Sequence, residues 1–195
     1  MAKVFVSYRN NDDPSTAVLL AEAIDQKFGE GTAFFDSKSI PLGSDFRPIL
    51  WGQLAKCVAM VVVVGPKWLL RDGERGRRID REDDFVRQEI EFALQIGIGI
   101  IPVLVGGAVR LKAGELPASL SALADRQYLT LRHRSIDQDL TRLFRGLREF
   151  MVSESPGVKV EASSSGPTST GITFNGAVRV GGDVVNGSKY VMRHE

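Results

Sequence analysis

The sequence predicts an α/β domain, a five-stranded parallel sheet with helices on both faces, plus a short β-prone C-terminal tail. Three observations carry this. Val58 to Val64 and Ile98 to Val105 are almost continuously apolar, as strands buried on both faces are. Around them, short β-prone runs alternate with segments of helical period, an alternation that calls for parallel strands joined by right-handed crossovers. Of 195 residues, 43% are hydrophobic and 25% charged, the balance of a globular chain rather than a disordered one.

The elements follow in order. Lys3 to Arg9 (KVFVSYR) is rich in β-branched and aromatic residues and reads as a buried first strand. Asp13 is placed to cap a helix with Pro14 in its first turn. Ala17, Leu20, Ala21, Ile24 and Phe28 continue it at helical spacing, and Gly29 and Gly31 end it. Thr32 to Phe35 is a second short strand. Asp36 to Ser44 holds turn residues and is a loop. A helix follows to about Lys56, with Pro48 tolerable in its first turn. After the strand Val58 to Val64, Arg71 to Asp84 is a long loop whose acids match its arginines, the pattern of a solvated segment rather than a nucleic-acid patch. Phe85 to Ile96 is a helix, Ile98 to Val105 the next strand, Tyr128 to Leu131 a weaker fifth strand, and Ile136 to Met151 a closing amphipathic helix. Ligands bind at the carboxyl ends of such strands. A site therefore belongs among the loops after Arg9, Phe35, Val64 and Val105.

This domain is expected to span residues 1–152. Residues 153–171 are rich in Ser, Gly, Pro and Thr and read as a flexible linker. Residues 172–195 carry β-prone pieces separated by Asn175-Gly176, Gly181-Gly182 and Asn186-Gly187, which are hairpin-turn signals. Some 20 residues cannot bury a core alone. The tail is thus either an assembly element that pairs with another chain or a disordered one.

Several function classes are set aside. Lys plus Arg is 25 against 24 for Asp plus Glu, so no nucleic-acid or membrane-surface partner is expected. No apolar run reaches the roughly 18 residues of a membrane span. The single cysteine, Cys57, excludes an intrachain disulfide and suits a reducing compartment. The sequence opens on a strand-like segment and not a leader, so the expected location is cytoplasmic. With one Cys and two His, no zinc site of those ligands is expected, and no other metal is assigned. There is no phosphate-binding G-x-x-x-x-G-K-[ST] loop and no G-x-S-x-G elbow. Gly97 and Gly99 follow a helix and precede a strand, the wrong order for a dinucleotide fingerprint.

One helix carries a misplaced charge. Projected at 100° per residue, Val86, Ile90, Ala93 and Leu94 of Phe85 to Ile96 form the stripe that faces the sheet. Glu91 falls on the opposite, solvent side. Glu89 lies beside the core stripe, flanked by Phe85, Phe92 and Ile96. Two readings stand: a surface glutamate paired to an arginine, or a partly desolvated carboxylate in a cleft, which is a candidate functional group.

Taken together, VFVSYR (Val4 to Arg9), FFD (Phe34 to Asp36), SIPLGSDF (Ser39 to Phe46), LAKCVAMVVVVGPKWL (Leu54 to Leu69) and FVRQEIEFALQIGIGIIPVLV (Phe85 to Val105) resemble a Toll/interleukin-1 receptor (TIR) domain of the bacterial, NAD-hydrolysing type. The resemblance covers about residues 1 to 150. It implies a flavodoxin-like domain that self-associates. Many members hydrolyse NAD+ between nicotinamide and ribose, with NAD+ as substrate and no cofactor, in immune or cell-death responses. The family's catalytic glutamate is the fifth residue of a Trp-x-x-x-Glu pattern. Here that pattern is Phe85-Val86-Arg87-Gln88-Glu89, with phenylalanine in place of tryptophan.

The resemblance therefore assigns Glu89 the catalytic role. It places Tyr8 and Arg9 at the substrate, where Arg9 pairs either with the pyrophosphate or with an acid such as Asp12. Lys38 either assists or is solvated. Phe85 either stacks on a substrate ring or packs in the core. Trp51 and Trp68 are assigned to packing or subunit contacts. The loop Asp36 to Ser44, with Ile40-Pro41-Leu42, is the expected surface for self-association, and the tail a possible link to a sensor protein. The alternative is a non-catalytic adaptor acting only through homotypic contacts.

Overall fold

The computed structural model describes residues 2–34 and 46–152. Lys38, the loop Asp36 to Ser44, the linker 153–171 and the tail 172–195 lie outside the described residues.

One sheet organises the domain. Its strands are β1 (Lys3–Ser7), β2 (Ala33–Phe34), β3 (Cys57–Val64), β4 (Gly99–Leu104) and β5 (Leu129–Thr130). They lie in the order β2-β1-β3-β4-β5, and every pairing is parallel. The helices are α1 (Pro14–Phe28), α2 (Phe46–Leu54), α3 (Phe85–Ile96), α4 (Ser121–Ala124) and α5 (Ile136–Val152). The most apolar segments take the centre. β3 pairs with β4 from Ala59 opposite Gly99 to Val64 opposite Leu104, and with β1 as far as Ser7 opposite Val62.

Alternate strand residues serve the two faces. Val4, Val6, Val61, Val63 and Val103 pack with Leu20 and Ile24 of α1 and Leu143 and Leu147 of α5. Phe5, Met60, Val62, Ile100 and Leu104 pack with Leu50 of α2, Ile90 of α3 and Leu123 of α4. α1 and α5 therefore share one face, and α2, α3 and α4 the other.

Local signals set the helix ends. Asp13 accepts at Oδ1 from the Thr16 amide at 3.1 Å, with Pro14 opening the helix. α3 stops at Gly97, which sits in the left-handed region at φ 73°. At Gly99 the ring of Phe150 from α5 occupies the space a Cβ would take, which seats that helix on the sheet.

β1, β4 and β5 are shorter than the sequence suggests, whereas β3 is longer by one residue, Cys57. β1 stops at Ser7 instead of Arg9, because the chain turns where the Asp12 amide donates to the Arg9 carbonyl at 3.0 Å. β2 and β5 are two-residue edge strands. The charged segment 71–84 is more ordered than a plain solvated loop. It holds two 3-10 turns, Gly73–Arg75 and Arg78–Asp80, a bridge between Arg71 and Arg77, and the fully buried Ile79.

Candidate active site

In this strand order, the crossovers from β1 and β3 run to opposite faces of the sheet. The crevice between the two strand ends is the topological switch point where open α/β sheets bind ligands. Three buried charges, Arg9, Asp84 and Glu89, gather beside it, while Asp139 lies apart on α5. Past Phe5, strand periodicity directs Ser7 toward the face covered by α3, and Arg9, just beyond the strand, reaches the same side. Both meet acids from that helix.

Glu89 is buried, 4% exposed, and accepts a hydrogen bond from Ser7 Oγ at Oε2, 2.6 Å away. The helical projection sets this residue at the margin of the apolar stripe. The structure places it within the buried face, beside Val86, Ile90 and Ala93. Glu91, by contrast, is half-exposed, accepting at Oε1 from Arg87 Nε at 2.7 Å and from Ser119 Oγ at 2.6 Å. The surface-glutamate reading thus describes Glu91 and not Glu89.

Arg9 is also buried, at 5% exposure, and its partner is not Asp12. Its Nη1 donates to Asp84 Oδ2 at 2.7 Å. Asp84 has a second duty, accepting at Oδ1 from the Arg87 amide at 3.0 Å as the N-cap of α3. The ion pair therefore pins the start of the helix carrying Glu89 to the end of β1. The Arg9 guanidinium lies over the Trp68 ring, 5.4 Å from its centroid. Asp12 instead accepts from the amides of Gly65 at 2.9 Å and Lys67 at 2.8 Å, after β3. A Cβ at Gly65 would run into that carboxylate, so glycine is required for the close approach.

The remaining expected residues divide. Phe85 is 38% exposed with Arg47 stacked 6.0 Å from its centroid, so it is not a core residue. Tyr8 packs with the cluster beneath α1 and α5, on the other side of the sheet from Glu89, so the structure does not bring it to Arg9 and Glu89. Trp51 packs on Phe92 at 5.4 Å. Ser7, Asp84 and Trp68 were not singled out for the site. Ser7 and Trp68 follow from strand parity and the switch point once the strand order is known, whereas the Arg9–Asp84 pair has no local sequence signal. Cys57 is buried and its thiol is pushed up to about 12 by desolvation, which makes it unreactive. Among the described residues no group of acids, cysteines and histidines is arranged to hold a metal, and no helix is long and apolar enough to cross a membrane.

A doubly wound α/β domain with buried acids anchored to the end of its first strand is the class that fold and site define. Residues 4–144 match the family model described as TIR domain, and the chain belongs to that family. Among solved structures, it resembles the TIR domains in the activated Roq1 resistosome, which directly recognises the pathogen effector XopQ. That match has 16% identity and a TM-score of 0.56, covering 75% of this chain and 99% of the other. It also resembles the TIR domain of the Toll-related receptor TRR-2 from Hydra magnipapillata, at 16% identity and a TM-score of 0.51, covering 76% and 99%. At these identities the likeness concerns the fold. No curated protein matches the sequence.

Proposed function

We propose that this chain is an NAD+ glycohydrolase of the bacterial TIR type, acting in a cytoplasmic immune or cell-death response, with Glu89 as its catalytic carboxylate. The observation that carries the reading is a buried glutamate at the family's catalytic position, held by Ser7 beside the switch point. A chain gains nothing in stability from burying a carboxylate there that an apolar residue would not supply.

One carboxylate suffices for this reaction. Glycoside cleavage ordinarily needs an acid to protonate the leaving group. In NAD+ the bond between ribose C1′ and the pyridinium nitrogen breaks with its electron pair going to nitrogen, so nicotinamide leaves neutral. The ribosyl centre becomes oxocarbenium-like, and a carboxylate held near it stabilises the positive charge, more strongly where water is excluded. Water then adds to C1′ and releases a proton, giving ADP-ribose. For Glu89 to act, its carboxylate rotates off Ser7 toward the ribose. Phe85, exposed one turn earlier on α3, stacks on a substrate ring. Self-association through Asp36 to Ser44 raises turnover, a reading supported by the similarity to TIR domains of a resistosome assembly. The tail recruits a sensor partner.

The adaptor reading draws on the same pair: Ser7 and Glu89 serve equally as a structural hydrogen bond. Incubating the purified full chain with NAD+ and quantifying nicotinamide decides between them. We expect release that rises with protein concentration. No release at any concentration, clustered or not, would establish the adaptor.

A further inference from the structure

We propose that Ser7 is a positioning residue whose hydroxyl stands in for a hydroxyl of the substrate: it keeps the Glu89 carboxylate ionised until a ribose binds, then yields it to a ribose O–H. The proposal rests on the glycohydrolase reading and adds what the site asks of its ligand.

The first observation is where a hydroxyl has been placed. Ser7 ends β1 after Val4, Phe5 and Val6, all buried, and lies opposite Val62 of β3. Strands covered on both faces are ordinarily apolar throughout. Ser7 is itself only 1% exposed, so its O–H has to find an acceptor within the protein. It finds Glu89, with 2.6 Å between Oγ and Oε2, the short range of an O–H donating to an ionised carboxylate.

The second observation is the kind of partner. Two other buried acids meet guanidinium groups, Asp84 that of Arg9 and Asp139 that of Arg132. A guanidinium stabilises a carboxylate but cancels the field that an oxocarbenium-like centre needs. A neutral hydroxyl favours the ionised form and leaves its charge whole.

The third observation is burial, which sets the cost of release. Glu89 is 4% exposed, so an oxygen that leaves Ser7 without another donor bears the penalty of a buried, unsatisfied charge. A ligand hydroxyl removes that penalty, because one O–H donor replaces another. What is left behind is a neutral serine hydroxyl, which costs less than a charge. The exchange therefore favours a sugar carrying a hydroxyl beside the reacting carbon over its deoxy counterpart.

The charged groups on the elements around Glu89 are Arg9 beyond β1, Arg47 on α2 over Phe85, and Asp84, Arg87 and Glu91 along α3. Removing the Ser7 hydroxyl alters none of them, so a change in the titration of Glu89 reports the hydroxyl.

The test compares the full chain with its Ser7→Ala and Ser7→Thr variants. The Glu89 carboxyl is followed by carbon-13 NMR and identified by its loss in Glu89→Gln. Without ligand, its titration midpoint should rise by about one to two pH units in Ser7→Ala and return toward wild type in Ser7→Thr. With ADP-ribose bound, which supplies ribose hydroxyls and requires no turnover, wild type and Ser7→Ala should titrate alike. In NAD+ cleavage, the acid limb of kcat/KM, which reports the free enzyme, should move with the midpoint, while that of kcat, which reports the bound complex, stays in place. A hydroxyl that only holds the fold would lower activity equally at every pH and move neither limb. The proposal is overturned if the ligand-free midpoint does not move, if the two limbs move together, or if the difference in midpoint persists with ADP-ribose at millimolar concentration. Absence of nicotinamide release from wild type would sink the glycohydrolase instead, and the two NMR titrations would still decide the role of Ser7.

Discussion

The two faces of the sheet are made from alternate residues of the same strands, yet they treat charge differently. Under α1 and α5 the strands contribute valines and alanine, and the one buried acid, Asp139, sits at the helix margin against the largely exposed Arg132. Under α3, β1 supplies Phe5 and then Ser7, followed just beyond the strand by Arg9, and two acids go under with them. Taking an ion out of water costs several kcal/mol, and a hydrophobic replacement is often as stable. The first face shows what stability alone asks of this sheet. The polar groups added on the second mark where chemistry was placed.

The sharpest test of that contrast lies within α3. Glu89→Gln keeps shape and the acceptor for Ser7 while removing charge. NAD+ cleavage should fall by about 10³-fold, with the far-UV spectrum unchanged. Glu91→Gln should change turnover less than about twofold. Equal losses in the two variants would erase the distinction between them.

Stability gives the next largest effect. Asp84→Ala leaves Arg9 buried without its counter-charge and removes the α3 cap, and should cost about 3–5 kcal/mol in urea unfolding. Leu147→Ala on the apolar face should cost a comparable 2–5 kcal/mol by cavity formation. The two differ in rescue. Arg9→Met combined with Asp84→Leu should recover most of the loss, since a well-packed apolar pair replaces the ions. If the double variant is no better than Asp84→Ala, the pair is not merely a stability-neutral ion pair.

The smallest effect comes from Asp139. The hydrogen bond from Arg132 holds its carboxyl down to about 2 against a usual 3.8. A pKa lowered on folding stabilises fully above the unfolded value and loses that contribution as pH falls through the folded one. The Tm difference between the wild type and Asp139→Asn should therefore be full at neutral pH and shrink between about pH 4 and pH 2. Exposure of Arg132 keeps the effect modest. A difference independent of pH would remove the ion pair from the account.

What was legible in the sequence follows from range. The apolar runs of β3 and β4, the Asp13-Pro14 start of α1 and the limits of α3 depend on neighbours a few positions away, and were read to within a residue or two. The buried pairings were not. Ser7 and Glu89 are 82 positions apart and Arg9 and Asp84 are 75, so the acid offered as one alternative for Arg9 is the nearby Asp12, which instead binds the backbone after β3. The resemblance takes Tyr8 together with Arg9 as parts of one motif, whereas adjacent residues at a strand end point apart. Glu89 was set at a stripe margin because a helical projection does not include the hydroxyl of another strand.

That same parity limits how this site can change. Ser7 faces the helix because it lies two residues past Phe5 on the strand, and Arg9 follows it to the same side just beyond the strand end. Deleting or inserting one residue between Phe5 and Ser7 would turn Ser7, and with it the chain leading to Arg9, toward α1 and α5, and would aim Val6 or Tyr8 at Glu89. Point substitutions there alter one group at a time, but a single-codon length change would dismantle the pair at Glu89 and the one at Asp84 together. Side chains at the start of the sheet can therefore change one at a time while length cannot, whereas the segment between β3 and α3 is held not by parity but by single anchors: Gly65, Trp68, Ile79 and Asp84.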